Sequence, residues 1–486
     1  MDESLRLVTT RTLLFITVIL LLTNGSAEAK RKVLVISLDG FKWNYLNAFG
    51  SNLGNLSRIA KNVRAAYTIP VFPSQTFPNH YSIVTGEYPA QHGIISNTFL
   101  DPNLRAQFVK SKTDEKFWNQ SEPIWITGTK QGVKSGIVYW PGSFTKFGNV
   151  TATHYIPNYS DDTPWNDRVD QIINWLVEDD VSLAMLYYPQ PDKTSHLYGP
   201  ESKQVYEKLL EIDDDIGYLL RRFDQLNLLG VVDIIVSSDH GMARVDTRRV
   251  VILSELLEGN HVDQFFDPEL RTESWAHGSI LHLWPRSEKI LELFRLLNGK
   301  TKYIDFYLKD QIPSHWKFKD NDRIPPILGV AKLGWRAVWY RDDLNIPKVY
   351  GSLGTHGYDN RYTDMRGTFL AMGPSFKAHV VLEPFEILNI YALIAELSGI
   401  RPRQVAASLD PFKKALRHGS NQPSYASYNF DAKKTTKPSL GLDYRTPVQN
   451  KVVDLQSTAC NYLPNFVLMV VALFFNKSLY CLIIYL

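Results

Sequence analysis

Val231-Val232-Asp233-Ile234-Ile235-Val236-Ser237-Ser238-Asp239-His240-Gly241 runs from a nearly unbroken apolar stretch straight into an acid, an imidazole and a glycine. An apolar run of that length, closed by polar residues, suits a strand buried on both faces, as in a mainly parallel sheet covered by helices. Similar short runs recur at residues 33–38, 136–139, 183–188 and 368–372. Between them lie helical patterns, clearest over 205–223, where Leu209, Ile212, Ile216, Leu219, Leu220 and Phe223 recur at three- and four-residue steps. This alternation predicts an α/β fold. Open α/β sheets bind ligands beyond the carboxyl ends of their strands, and Asp39, Asp192, Asp239 and His240 all fall just after apolar runs. Residues 253–350 are less regular and are predicted to form an insertion or cap between the Asp239-His240 and His356 segments.

Composition narrows the class of protein. With 486 residues, 44% of them apolar and 12% aromatic, the chain is globular rather than disordered. A formal net charge of +3 gives no reason to expect binding to a nucleic-acid polymer. Arg6 and Arg11 precede an apolar run at 13–22, and small residues follow at Gly25, Ser26 and Ala27. Residues 1–28 are therefore predicted to be a secretory signal, with a retained signal anchor as the alternative. Asn-X-Ser/Thr triplets at Asn55, Asn119, Asn149 and Asn158 agree with a glycosylated protein at the cell surface or secreted. The only cysteines are Cys460 and Cys481, so residues 30–415, predicted as the catalytic domain, must stand on an apolar core without disulfides. Residues 417–457, polar and rich in Ser, Thr, Lys and Asn, read as a linker. The apolar tail 463–486 reads as a membrane-spanning or anchoring segment, though Asn476, Lys477 and Ser478 interrupt the roughly 20 apolar residues that a crossing helix needs. A removed lipid-anchor signal is the other reading of the tail.

Seven residues can be read together as two metal sites sharing one nucleophile: Asp39, Thr76, Asp192, His196, Asp239, His240 and His356. Their carboxylates and imidazoles form mixed oxygen and nitrogen sets of the kind that divalent zinc accepts. A threonine hydroxyl is a poor nucleophile at neutral pH, and coordination to a metal is one way to activate it. Pro78 and Gly86 bracket a short predicted helix that puts Thr76 near its N-terminus, where phosphate is favoured. Asn79, in the first turn, is expected to donate its amide to a developing phosphoryl oxygen. Asp192 and His196 are four apart, the spacing at which two side chains of one helical turn meet.

Taken with their flanks, these segments resemble the ectonucleotide pyrophosphatase/phosphodiesterases of the alkaline phosphatase superfamily. The resemblance runs from about residue 33 to 402. It is carried by Thr76-Phe77-Pro78-Asn79-His80-Tyr81, by Thr85-Gly86 with His92-Gly93-Ile94, by Ser238-Asp239-His240-Gly241-Met242 and by Gly354-Thr355-His356-Gly357-Tyr358-Asp359-Asn360. It implies an alkaline-phosphatase-like fold with two zinc ions. One zinc would be held by Asp192, His196 and His356, the other by Asp39, Asp239 and His240 with Thr76. Thr76 would form a covalent nucleotidyl-threonine that water then hydrolyses.

The resemblance also implies that Phe77 and Tyr155 grip a nucleotide base. The segment Tyr187-Tyr188-Pro189-Gln190-Pro191-Asp192 lacks the acidic residues usual before that aspartate, and Ser195 stands where glycine is common. The implied substrate is an extracellular nucleotide, a small molecule carrying a phosphodiester or pyrophosphate bond. Choline phosphodiesters of the lysophospholipid type are a second substrate class within the same chemistry, and a catalytically idle cell-surface binding protein is the reading from another class.

Overall fold

The computed structural model describes residues 31–110, 114–268, 278–345, 352–417, 469–475 and 478–484. The signal reading of 1–28 and nearly all of the linker reading of 417–457 lie outside them. By its contacts the chain divides into two units, Met1–Tyr425 and Ala426–Leu486.

The first unit is built on one eight-stranded sheet. In chain order its strands are β1 (Lys32–Leu38), β2 (Val63–Ala65), β3 (Ser135–Val138), β4 (His154–Tyr155), β5 (Leu183–Tyr188), β6 (Val232–Ser237), β7 (Phe369–Met372) and β8 (Val380–Leu382). Their spatial order is β8-β2-β7-β6-β1-β5-β3-β4. The central pairs β6/β1, β1/β5 and β5/β3 are parallel, as the continuous apolar runs predict. β7 differs: it runs antiparallel to both β6 and β2, a direction its composition does not encode.

Alternation along the strands sorts the two faces. Val33, Val35, Leu183, Met185 and Ile235 share one apolar cluster with the helices α1 (Thr76–Thr85) and α2 (Ile390–Ser398). Leu34, Ile36, Ala184, Leu186 and Ile234 share another with Trp165–Val177 and Lys203–Gln225. Fully burying each such side chain contributes about 1.5–3 kcal/mol, and these two layers hold the sheet without disulfides.

The less regular region after residue 253 carries a three-stranded antiparallel sheet, Ile280–Leu283, Ile327–Ala331 and Ile304–Leu308 in that order, over its own apolar cluster. Antiparallel neighbours need no crossover helix, which is why no strand and helix repeat is visible there.

Within the apolar tail, Met469–Phe475 pairs antiparallel with Ser478–Ile484. Each apolar run there is seven residues, rich in residues that favour strands and far short of about 20. No helix among the described residues is long and apolar enough to cross a membrane. At the Asn55 triplet the side-chain nitrogen donates to the Asp213 carbonyl at 3.0 Å and to its carboxylate at 3.1 Å. Asn119, Asn149 and Asn158 remain exposed.

Candidate active site

The sheet face against α1 turns polar at its carboxyl end. Ser37, Tyr187 and Ser237 lie abreast on β1, β5 and β6, and Asp39 and Asp239 follow two residues later on the same face. Asp192 and His196 come from the helix Asp192–Tyr198, which follows β5, and His356 from the loop after the strand Gly354–Thr355. Gly40 takes φ +66°, and a Cβ there would lie 2.9 Å from the Asp192 Cβ, so only glycine lets the two ligand loops approach this closely.

The structure brings six of the carboxylates and imidazoles together around the start of α1. Asp39, Asp239 and His240 offer atoms within 4.8 Å of one another, and so do Asp192, His240 and His356. His240 Nε2 lies 3.1 Å from Asp239 Oδ2, 3.5 Å from Asp39 Oδ1 and 3.4 Å from the Thr76 hydroxyl. His356 Nε2 lies 3.6 Å from Asp192 Oδ1, and its ring stacks on His240 at 3.7 Å. His196 Nε2 lies 3.4 Å from Asp192 Oδ2 at the open edge, with its side chain 33% exposed. The sequence divides the ligands into two separate triads, whereas the geometry makes them contiguous, with His240 reaching both.

Two observations test whether these residues fit a cation. Asp39 Oδ1, Asp192 Oδ1 and Asp239 Oδ2 are buried and accept no hydrogen bond. Each imidazole Nδ1 instead faces a carbonyl, which can only accept: Gly354 for His196 at 2.8 Å, Gly241 for His240 at 2.8 Å and Ser74 for His356 at 2.9 Å. Each Nδ1 therefore carries a hydrogen, and the Nε2 atoms of His240 and His356 face the unsatisfied oxygens. Buried carboxylates without donors are costly unless a cation shares them.

Protonation equilibria show the same demand. Burial, then the Asp239 and Asp192 carboxylates, raises the Asp39 carboxyl well above its usual range. Burial alone would lower the His240 imidazolium, but Asp239, Asp39 and Asp192 outweigh it and push it up to about 10. Burial and then the neighbouring His240 lower His356 well below an ordinary imidazole, which keeps its lone pair free. The donor set, oxygen and imidazole nitrogen, suits zinc.

Thr76 opens α1, buried at 4% exposure, with Gln75 in extended conformation before it. The predicted helix is observed as Thr76–Thr85, and Gly86 ends it at φ +71°. Phe77 is half-buried, its ring set against Phe108 at 5.9 Å and Trp118 at 6.0 Å. Tyr155, on the edge strand β4, packs on the same apolar cluster, and no ring contact joins it to Phe77 among the described residues.

Asn79 is corrected. Its amide nitrogen donates to the carbonyls of Pro73 at 3.1 Å and Gln75 at 2.9 Å, and its oxygen accepts from the Val71 amide at 2.7 Å. All its donors point into the loop before Thr76, so it shapes that loop and offers nothing to a phosphoryl group. Asn97 takes the better position. Its oxygen accepts from the Phe77 amide at 2.8 Å, one residue from Thr76, and its side-chain nitrogen donates to nothing among the described residues. In the sequence Asn97 is the middle of a polar trio, Ser96-Asn97-Thr98, between apolar pairs, with no spacing to mark it.

Tyr187 was likewise not singled out as functional. Its hydroxyl donates to Asp39 Oδ2 at 2.6 Å inside the core. Tyr187→Phe is expected to weaken metal binding and turnover by about 10-fold with little loss of fold, read by chelator competition and kcat. Unchanged values for both would make the hydroxyl a packing contact only.

The sequence profile of the family described as Type I phosphodiesterase / nucleotide pyrophosphatase matches residues 33–359. The chain is 32% identical over 379 residues to human ectonucleotide pyrophosphatase/phosphodiesterase family member 5, which covers 76% of this chain and 75% of that protein. It is 31% identical over 404 residues to the Mus musculus bis(5'-adenosyl)-triphosphatase enpp4, covering 81% of this chain and 83% of that protein. Among solved structures, murine ectonucleotide pyrophosphatase / phosphodiesterase 5, an inactive threonine-to-alanine variant in complex with AMP, matches with a TM-score of 0.72 and 32% identity over 80% of this chain and 100% of that chain.

Proposed function

The chain belongs to the type I phosphodiesterase/nucleotide pyrophosphatase family and is a phosphodiesterase, and from that premise we propose a two-zinc hydrolase of extracellular nucleotides that works through Thr76. The observation that carries this reading is the convergence of three unsatisfied buried carboxylate oxygens on the Nε2 atoms of His240 and His356 beside the Thr76 hydroxyl.

Asp192, His196 and His356 would hold one zinc, and Asp39, Asp239 and His240 with Thr76 the other. When bound, the pair supplies Lewis-acid charge to the attacking and leaving oxygens of an in-line displacement. The remaining chemistry belongs to the chain. Thr76 Oγ1 forms a bond to phosphorus as the bond to the departing oxygen breaks, and its proton ends on that oxygen. Water then adds hydroxide to phosphorus, breaks the threonyl ester and returns a proton to Oγ1. The N-terminus of α1 and the free Asn97 amide favour the added negative charge. Phe77, backed by rigid aromatic neighbours, offers a face for stacking a base, with Tyr155 as the second ring.

Nucleotide specificity draws support from two relatives, the murine protein bound to AMP and the bis(5'-adenosyl)-triphosphatase. A secretory or cell-surface location, with glycans at the exposed Asn119, Asn149 and Asn158, is part of the same proposal.

The test compares a nitrophenyl ester of thymidine monophosphate with nitrophenyl phosphorylcholine, each with and without chelator. Turnover of the nucleotide ester that chelator removes and zinc restores is the expected result. Preference for the choline ester would move the substrate to choline phosphodiesters, and no turnover of either with zinc bound would leave a binding protein.

A further inference from the structure

His80 lies four residues after Thr76 on α1 and is wholly buried. Helical side chains lean toward the helix N-terminus, so its ring lies over the first turn. Nδ1 is 2.8 Å from the Thr76 carbonyl oxygen and 3.3 Å from Asp239 Oδ2, the oxygen that also faces His240 Nε2. Nε2 is 2.8 Å from the Ser37 hydroxyl. A carbonyl and a carboxylate only accept, so Nδ1 carries the hydrogen and Ser37 donates to Nε2. Trp140 and Tyr187 meet the ring edge-on at 5.1 Å each and fix its plane.

One ring edge therefore bonds the backbone of the candidate nucleophile and stands in electrostatic range of a candidate metal-ligating carboxylate. We propose that His80 is a positioning residue that sets the orientation of the Asp239 carboxylate relative to Thr76: its Nδ1–H, bonded to the Thr76 carbonyl, holds the ring edge 3.3 Å from Asp239 Oδ2. The inference rests on the two-zinc reading above. Without this contact only the two amide bonds to Oδ1 hold the Asp239 carboxylate, and nothing on the α1 side fixes Oδ2 where it would meet a cation. Outer partners of metal ligands typically matter by about 10- to 100-fold in affinity or activity.

The ring geometry supplies a paired test. The amide nitrogen of asparagine can occupy the place of Nδ1, whereas that of glutamine reaches the place of Nε2. His80→Gln is expected to lower kcat about 10- to 100-fold with KM nearly unchanged, and to release one of two zinc equivalents at a chelator concentration that the natural protein withstands. His80→Asn is expected to recover most of both losses. Ser37→Ala, which removes only the Nε2 partner, is expected to resemble the natural protein and keeps the test open should His80→Gln fail to fold.

Equal losses in the Asn and Gln variants, losses that track melting temperature alone, or a Ser37→Ala defect as large as that of His80→Gln would each overturn the inference and leave His80 a core histidine. The natural protein run alongside separates the two claims. If it binds no zinc, or turns over fully in chelator, the two-zinc reading fails instead.

Discussion

Thr76→Ala is expected to lower kcat by at least about 10³-fold while zinc content and melting temperature stay close to those of the natural protein. The variant removes one oxygen whose only hydrogen-bond-range contact among the described residues is His240 Nε2 at 3.4 Å. The His240 ring keeps its place without that contact, because its Nδ1 donates to the Gly241 carbonyl at 2.8 Å. The helix start does not depend on the hydroxyl either, since Gln75 occupies the cap and Asn97 accepts from the Phe77 amide. Loss of rate with an intact fold and metal content is thus the signature of a nucleophile. Metal content by atomic emission, thermal melting and initial rates on the nitrophenyl nucleotide ester decide it, and retention of more than a tenth of the turnover would remove Thr76 from this role.

The second large effect concerns Asp239→Asn. Asp239 Oδ1 accepts from the Gly40 amide at 3.1 Å and the His240 amide at 3.0 Å, and an asparagine oxygen can keep both bonds. Oδ2 accepts no hydrogen bond and faces His240 Nε2. Replacing it with an amide nitrogen removes the negative charge and puts a donor where a cation would sit. Burial would raise this carboxyl, yet His240 and His80 outweigh burial and hold it well below the usual carboxylate range, so it is anionic at any working pH and its charge is what the substitution deletes. Zinc is expected to fall from two equivalents to at most one, and turnover by about 10³-fold or more, with the fold preserved by the Oδ1 bonds. Two equivalents at undiminished affinity would exclude Asp239 from the inner set.

Much of this site was legible before any coordinate. Asp39, Asp192, Asp239 and His240 stand directly after apolar runs, and strands buried on both faces advertise themselves as such runs. Their carboxyl ends are where an open α/β sheet receives a ligand. Thr76 was legible through Pro78 and Gly86, which mark the helix by their backbone chemistry alone. The error at Asn79 has the same root as the omission of Asn97. Both are polar residues near the nucleophile, and sequence proximity favours Asn79. Which of them has a free donor depends on the carbonyls of Pro73 and Gln75 and on the amide of Phe77, and these are placed by the folded loop.

The sequence by itself therefore determined the parallel core and the order of the candidate ligands along the chain, because apolar periodicity and local backbone preference are properties of neighbouring residues, and the motifs around Thr76, Asp239 and His356 carried the resemblance to phosphodiesterases. Only the tertiary structure decided that β7 runs antiparallel, that His240 lies between both ligand groups, that Tyr187 and His80 stand behind Asp39 and Asp239, and that Asn97 rather than Asn79 keeps a free amide. Each of these depends on which atom of a distant segment satisfies a buried donor or acceptor, and that pairing exists only once burial has removed water as the alternative partner.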